Sequence, residues 1–255
     1  VYVARVLRLE PLEPAHGGID ARERGLLVHQ ALERFVRTYP AELPADPEAA
    51  LMALGAEVFD RERLGDATVA LWWPRFVRVA GWFVESEAER RREVERVVAE
   101  AKARLRLPVG AGEIELTGRI DRLDRRRDGS CAIVDYKTGT APRRRDVTDG
   151  LRPQLPLLAA LVEGGGLGFD DAALVSRLAY LELKGGEPPG TEPVALDDPA
   201  EVVARTLAGV TRLLAGYAAA EVPYLPLPRP RASAHVDPVA PLARDQEWLD
   251  GEAGG

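Results

Sequence analysis

From Ala21 the apolar residues fall at helical intervals. Leu27, Ala31 and Phe35 form one stripe with Leu32 and Val36 beside it, and Pro40 ends the run. A loop rich in Pro and Ala follows, then a second helix expected over Glu48–Arg63. A long third helix is expected from Val69 to Arg104, bent or interrupted near Pro74. Its early aromatic residues (Trp72, Trp73, Phe76, Trp82 and Phe83) read as core packing rather than a base-stacking platform. Its later part, SEAERRREVERVVAEAKARL, reads as amphipathic and charged. Pro108 to Gly112 break the helix, and EIELTGRIDRLDRRRDGSCAIVDYKTG then reads as a β-hairpin with Asp128-Gly129 at its tip. LRPQLPLLAALVEGGG predicts a helix closed by glycines, ALVSRLAYLEL a strand, and DDPAEVVARTLAGVTRLLAGYAAAE an amphipathic helix begun by an aspartate cap. Helices, a hairpin, then helix–strand–helix imply an α/β fold with helices around a mixed sheet. Its expected parts are a helical portion over about 21–107, an α/β core over about 113–220 and a Pro-rich tail over about 221–255. Residues 1–20, punctuated by Pro and Gly, read as a linker or the tail of a preceding domain. The chain opens without Met, which suggests a piece of a longer polypeptide.

The register of the hairpin decides where its charges meet. A two-residue turn at Asp128-Gly129 would set Asp121 opposite Tyr136, on the other face from Asp135, and Ile120 against Lys137. A three-residue loop, Arg127 to Gly129, has a type I turn followed by a left-handed glycine. It pairs Leu123 with Ile133, Asp121 with Asp135 and Arg119 with Lys137, and is the better match. Opposed residues on antiparallel strands share a face, and Asp135 and Lys137, two apart, share one as well. Two facing carboxylates repel unless a cation lies between them, and hard oxygen ligands suit Mg2+ or Mn2+. On the residues alone two bland readings stay open: Asp121 solvated or paired with Arg119 or Arg122, and Asp135–Lys137 as a surface ion pair.

The composition, 46% hydrophobic and 29% charged over 255 residues, is that of an ordinary globular chain. The net charge of −7 argues against a free-standing nucleic-acid binder, though a partner subunit can supply the basic surface. Arg90–Arg92 reads as a solvated face, whereas Arg125–Arg127 and Arg143–Arg145 flank the hairpin motif and are better placed for phosphates. The single cysteine, Cys131, excludes an internal disulfide and any cysteine-held zinc or iron–sulfur site. With no long apolar run and no signal-peptide layout, the expected compartment is the cytoplasm.

GRIDRLD followed by IVDYKTG resembles the PD-(D/E)xK nuclease superfamily, whose motif is spelled here by Asp121, Asp135 and Lys137. RGLLVHQALERF resembles the helical motif of RecB-type nucleases that supplies a histidine, here His29, and QLPLLAAL resembles their following helix, whose glutamine matches Gln154. The ends, YVARVLRLEPLEP and LARDQEWLDGE, look most like the C-terminal part of AddB-type subunits of helicase–nucleases. The resemblance implies a restriction-endonuclease-like fold and Mg2+-dependent exonucleolytic hydrolysis of DNA, with Mn2+ as a substitute. It implies His29, Asp121, Asp135 and the Tyr136 carbonyl as metal ligands. Lys137 then acts on the attacking water or the developing charge, and Gln154 orients one of them. Arg119, Arg143, Arg144 and Arg145 become candidates for the DNA backbone. The implied partners are a single-stranded DNA end, an AddA-type helicase–nuclease subunit and the rest of the parent AddB-type chain, in recombinational repair of double-strand breaks. No membrane is involved.

Two features depart from the pattern: no iron–sulfur cluster can be held here, and the tyrosine often found after the glutamine is replaced by Leu158 or a neighbour. His29 on its helical stripe would otherwise be a satisfied core residue, and Gly25 one turn earlier lets that helix approach the sheet. The rival expectation is a catalytically silent DNA-end-binding or scaffold module.

Overall fold

The hairpin tip sets the register of the sheet. Gly129 has φ 84°, the left-handed conformation a three-residue loop demands, and its N–H donates to the Arg126 carbonyl while Arg126 N–H donates to Ser130. The strands therefore pair Leu123 with Ile133 and Arg122 with Val134, the register read from the sequence.

The computed structural model describes residues 21–61, 66–167 and 173–218. Three helices come first: α1 (Ala21–Thr38), α2 (Pro47–Arg61) and α3 (Asp66–Arg90, with Pro74 inside it). Strands β1 (Val94–Val109), β2 (Gly112–Arg126) and β3 (Cys131–Lys137) follow, then short α4 (Arg144–Thr148), α5 (Gln154–Glu163), β4 (Val175–Leu183), β5 (Gly190–Asp197) and α6 (Ala200–Ala218). The sheet order is β1-β2-β3-β4-β5, antiparallel except for the β3–β4 pair. That parallel pair needs a crossover, which α4 and α5 supply. One core cluster gathers Leu32, Phe35, Leu51, Phe76 and Phe83 of the first three helices with Val134, Tyr136 and Leu181 of the sheet. The other packs Leu155 and Leu161 of α5 and Val203 of α6 with Ile120, Ile133 and Tyr180. This is a mixed sheet flanked by helices behind an N-terminal helical part, the predicted fold class.

Three local expectations fail. The third helix ends at Arg90, and what read as its second half is β1. Val94, Val97, Val98 and Ala101 imitate helical spacing because the strand is irregular: its register shifts between Val94 and Arg96, and Glu100 takes φ 52°. Beyond Glu100 the alternation is regular, with Ala103, Leu107 and Val109 buried between exposed Arg104, Arg106 and Pro108. Strand β5 was hidden by a stretch rich in Pro and Gly, tolerable because it is an edge strand. Asp198 is not the cap of α6: it has φ 50°, its N–H donates to Ser176, and Pro199 directly precedes the helix.

The described residues fall within one compact unit, Ile19–Ala219. The linker, the Pro-rich tail and the two AddB-like end segments lie outside the described residues. Among the described residues no helix is long and apolar enough to cross a membrane.

Candidate active site

The β2–β3 ladder runs from Arg125↔Cys131 to Arg122↔Val134 and then stops, so Asp121 and Asp135 lie opposite in register but beyond the last pair. The pleat of β2 also slips here. Ile120 and Leu123, three apart, both belong to the α5-side core, and a side chain at Gly118 would meet Leu158 and Leu161 of α5. The Asp121 carboxylate is thereby released from the ladder, and its Oδ2 accepts the Tyr136 N–H at 3.2 Å. On β3 the alternation holds, with Val134 and Tyr136 in the helical core and Ile133 in the α5-side core. Asp135, in phase with Ile133, meets Gln154 at the start of α5.

Five of the predicted residues form two neighbouring groups. Gln154 Nε2 donates to Asp135 Oδ1 at 2.5 Å, and its Oε1 accepts from Lys137 Nζ at 3.2 Å. Lys137 Nζ lies 2.5 Å from Asp135 Oδ2, so carboxylate, amide and ammonium close a triangle. Beside it, His29 Nδ1 stands 3.6 Å from Asp121 Oδ2, and its ring meets Tyr136 edge-on at 5.8 Å. Gly25 brings α1 close: a methyl there would stand 2.7 Å from Thr138 Oγ1, directly after Lys137.

Burial, then repulsion from Asp121, raises the Asp135 carboxyl to about 6 despite the pull of Lys137 and Gln154. Burial also lowers the His29 pKa against the attraction of Asp121, so the ring is neutral at neutral pH, the form that can ligate a metal. Two carboxylates that repel each other, a neutral imidazole and a backbone carbonyl are a donor set for a hard divalent cation. Asp135 Oδ2 is buried and receives no aligned hydrogen bond, which leaves a lone pair for such an ion. Among the described residues no three His, Cys, Asp or Glu side chains are already gathered as a cage. The residues fit a divalent ion in kind, and Asp135 faces Lys137 rather than its acidic neighbour.

Of the basic candidates, Arg119 stands close enough for its charge to oppose protonation of His29, while the other three belong to the segment of α4. Arg119 pairs with Glu100 at 2.6 Å. Arg144 donates to the Ala195 carbonyl and Arg145 to Asp149, on and around α4, while Arg143 is exposed at the start of that helix. Two residues near the site went unnamed in the sequence reading. Glu100, raised by burial with Arg119 opposing, lies close enough to Asp121 to feel its charge; its segment had been read as helix. Tyr180, raised by burial and then by Asp135, is paired in register with Asp135 and has Lys137 Nζ 5.4 Å from its ring centre. Only the parallel β3–β4 register reveals it, and no local signal carries that. Below the site, Arg122 is wholly buried, with Nε 2.6 Å from Asp124, a short contact to Glu87 and a 3.5 Å hydrogen bond to the Tyr136 hydroxyl.

A model of the PD-(D/E)XK nuclease superfamily matches residues 2–232. An uncharacterized protein of Rickettsia bellii (strain RML369-C) is 25% identical over 161 residues, 63% of this chain and 19% of that protein. One from Rickettsia typhi (strain ATCC VR-144 / Wilmington) is 29% identical over 135 residues, 51% of this chain and 16% of that protein. The chain thus spans less than a fifth of the length of these relatives. The crystal structure of SSO0001 aligns over 74% of each chain at 15% identity, with a TM-score of 0.33.

Proposed function

Because the chain belongs to the PD-(D/E)XK nuclease superfamily, we propose that it is a Mg2+-dependent DNA exonuclease domain with Asp121, Asp135, Lys137, Gln154 and His29 as its working residues. The triangle of Asp135, Lys137 and Gln154 beside Asp121 carries this reading. Asp121, Asp135, the Tyr136 carbonyl and His29 would hold the ion, which when bound polarises the scissile phosphate and acidifies a water. Lys137 pairs with Asp135 Oδ2, and an ion held by that carboxylate would compete with the ammonium for it. The ammonium then faces the attacking water or the charge growing on the phosphate. Gln154 keeps that amine aimed through its Oε1 and the carboxylate through its Nε2.

The two end segments support a finer reading, an AddB-type nuclease that works with an AddA-type helicase–nuclease on single-stranded ends in double-strand break repair. The test is hydrolysis of end-labelled single-stranded DNA with Mg2+, Mn2+ or chelator. Lys137→Ala is expected to slow it by about 10²–10⁴-fold in a chain that still folds, melting somewhat lower at neutral pH because the buried Asp135 loses its ammonium partner. A wild type that neither cleaves nor binds Mn2+ by calorimetry would leave the silent scaffold.

Helix α1 gives a subtler prediction. Gly25→Ala gains about 1 kcal/mol of helix propensity yet collides with Thr138. Its melting temperature is expected to stay within a few degrees of wild type, ~2–4 °C per kcal/mol at this size. Cleavage is expected to fall roughly tenfold, since small misplacements of positioned groups cost one to two decades. Adding Thr138→Ala, which removes the hydroxyl the methyl meets, is expected to restore the rate. An unrescued rate counts against a positioning role for the close approach of α1.

A further inference from the structure

On the face of the sheet that carries the first three helices lies a cavity of about 280 Å3 that the chemistry above does not use. Its walls include Phe59 of α2, Trp72 and Phe76 of α3, and Thr138, with Arg75 and Lys184 adding two cations. Two of its wall residues are chain neighbours of site residues. Val28 on its wall precedes His29, and Thr138 follows Lys137. The volume is just under the roughly 300–1,000 Å3 of pockets that take drug-sized ligands, enough for one planar ring system and too small for a base pair.

Its chemistry has two parts, as a nucleotide does. The aromatic walls offer π surface, and the Arg75 guanidinium stacks over the Trp72 ring at 4.3 Å, a cation–π contact that covers one face of the indole and holds the cation at the cavity wall. The cations suit a phosphate, although Lys184 is shared with Glu182 at 2.5 Å. The walls are braced: Arg78 Nε donates to the Gly185 carbonyl at 2.8 Å, tying α3 to the turn after β4. Gly185 has φ 65° and approaches so closely that a side chain there would meet the Arg75 carbonyl at 2.6 Å. Trp72 packs against the core of the first three helices, as its helical spacing suggested, and also lines this cavity.

We propose that this cavity takes one unpaired base of single-stranded DNA flanking the scissile phosphate, with Arg75 on the adjoining backbone. The proposal rests on the nuclease reading of the neighbouring site. A base in a duplex cannot enter without leaving its stack, so the cavity selects frayed or single strands.

The test is equilibrium binding of the whole chain to fluorescent oligothymidylates in Ca2+, with one abasic residue moved along the strand, beside Mg2+ cleavage of the same strands. One abasic position is expected to weaken binding by roughly 5- to 150-fold, the range for losing one stacked base. Trp72→Ala is expected to remove that positional dependence. Arg75→Gln, which spares the aromatic walls if Trp72→Ala misfolds, is expected to keep it while lowering the salt slope by about 1. A wild type that cleaves but shows a flat abasic scan overturns the base site and leaves the nuclease reading. One that shows the positional loss but cleaves with neither Mg2+ nor Mn2+ keeps the base site and overturns the nuclease reading. No binding to any strand overturns the base site.

Discussion

Asp135→Asn is expected to abolish cleavage and, in the same protein without metal, to raise the melting temperature at pH 8 by roughly 5–10 °C. The two effects share one cause. Asp135 is 2% exposed, and burial plus the nearby Asp121 lift its carboxyl from 3.8 to about 6. Above pH 6 the folded chain must hold this carboxylate ionised in a place that disfavours it, at a cost of about 2–3 kcal/mol. The sign follows from the raised value. The stability contribution is fully present below the unfolded value near 3.8, where the group is protonated in both states. It is lost as pH climbs through about 6. Asparagine keeps an oxygen for Gln154 Nε2 without the charge, and Lys137, partly exposed, keeps Gln154 Oε1. At pH 8 the variant should therefore melt higher, and at pH 4 the two proteins should melt together. Cleavage falls because the ion loses its charged ligand: several kcal/mol of charge stabilisation correspond to ~10³-fold or more. Mn2+ binding to the wild type, followed by calorimetry, should weaken about tenfold per pH unit below 6 as protons compete for the same oxygen. Equal melting at pH 8 and pH 4 relative to wild type would show that Asp135 carries no such penalty.

That tension was half visible in the sequence. The alternation in β2 and β3 and the turn chemistry of Asp128-Gly129 place Asp121 opposite Asp135, because register is a local property of a hairpin. The helical stripe of α1 places His29, with Gly25 as the sign of a close approach. What was not legible depends on irregularity or on distant partners. The positive φ of Glu100 gives part of β1 the spacing of a helix, so Glu100 was lost along with its strand. The slip of the pleat between Ile120 and Leu123 makes Asp121 and Arg122 diverge from simple alternation. Tyr180 reaches Asp135 through a parallel pairing whose register no turn encodes. Arg122 also carried no mark of its burial. In GRIDRLD it reads like its charged neighbours, and its burial rests on Asp124 together with Glu87, 35 residues earlier on α3.

Arg122→Ala is expected to be the most damaging single change away from the reacting groups, lowering stability by about 3–5 kcal/mol and the melting temperature by roughly 6–20 °C. Arg122 and Glu87 are wholly buried, Asp124 nearly so, and Arg91 pairs with the other oxygen of Glu87 at 2.9 Å. Burial alone would raise Glu87, but Arg122 and Arg91 outweigh it and hold the carboxyl below its usual value. Burial likewise works against the Arg122 charge, and Asp124 and Glu87 keep it cationic. Remove the guanidinium and two carboxylates are stranded out of water with only Arg91 left for one of them. The same pair need not be worth much in itself, since desolvation offsets most of the attraction between buried charges. Replacing the group together, Arg91 included because it would otherwise lose Glu87, as Glu87→Leu, Arg91→Met, Arg122→Met and Asp124→Leu, is therefore expected to recover most of the lost stability. Activity separates the two roles of the network. Arg122 also donates to the hydroxyl of Tyr136, whose ring meets His29 and whose N–H meets Asp121. If that hydrogen bond positions the site, the fourfold variant should melt near wild type and still cleave several-fold more slowly. If the network only fills the interior, its rate should recover along with its stability.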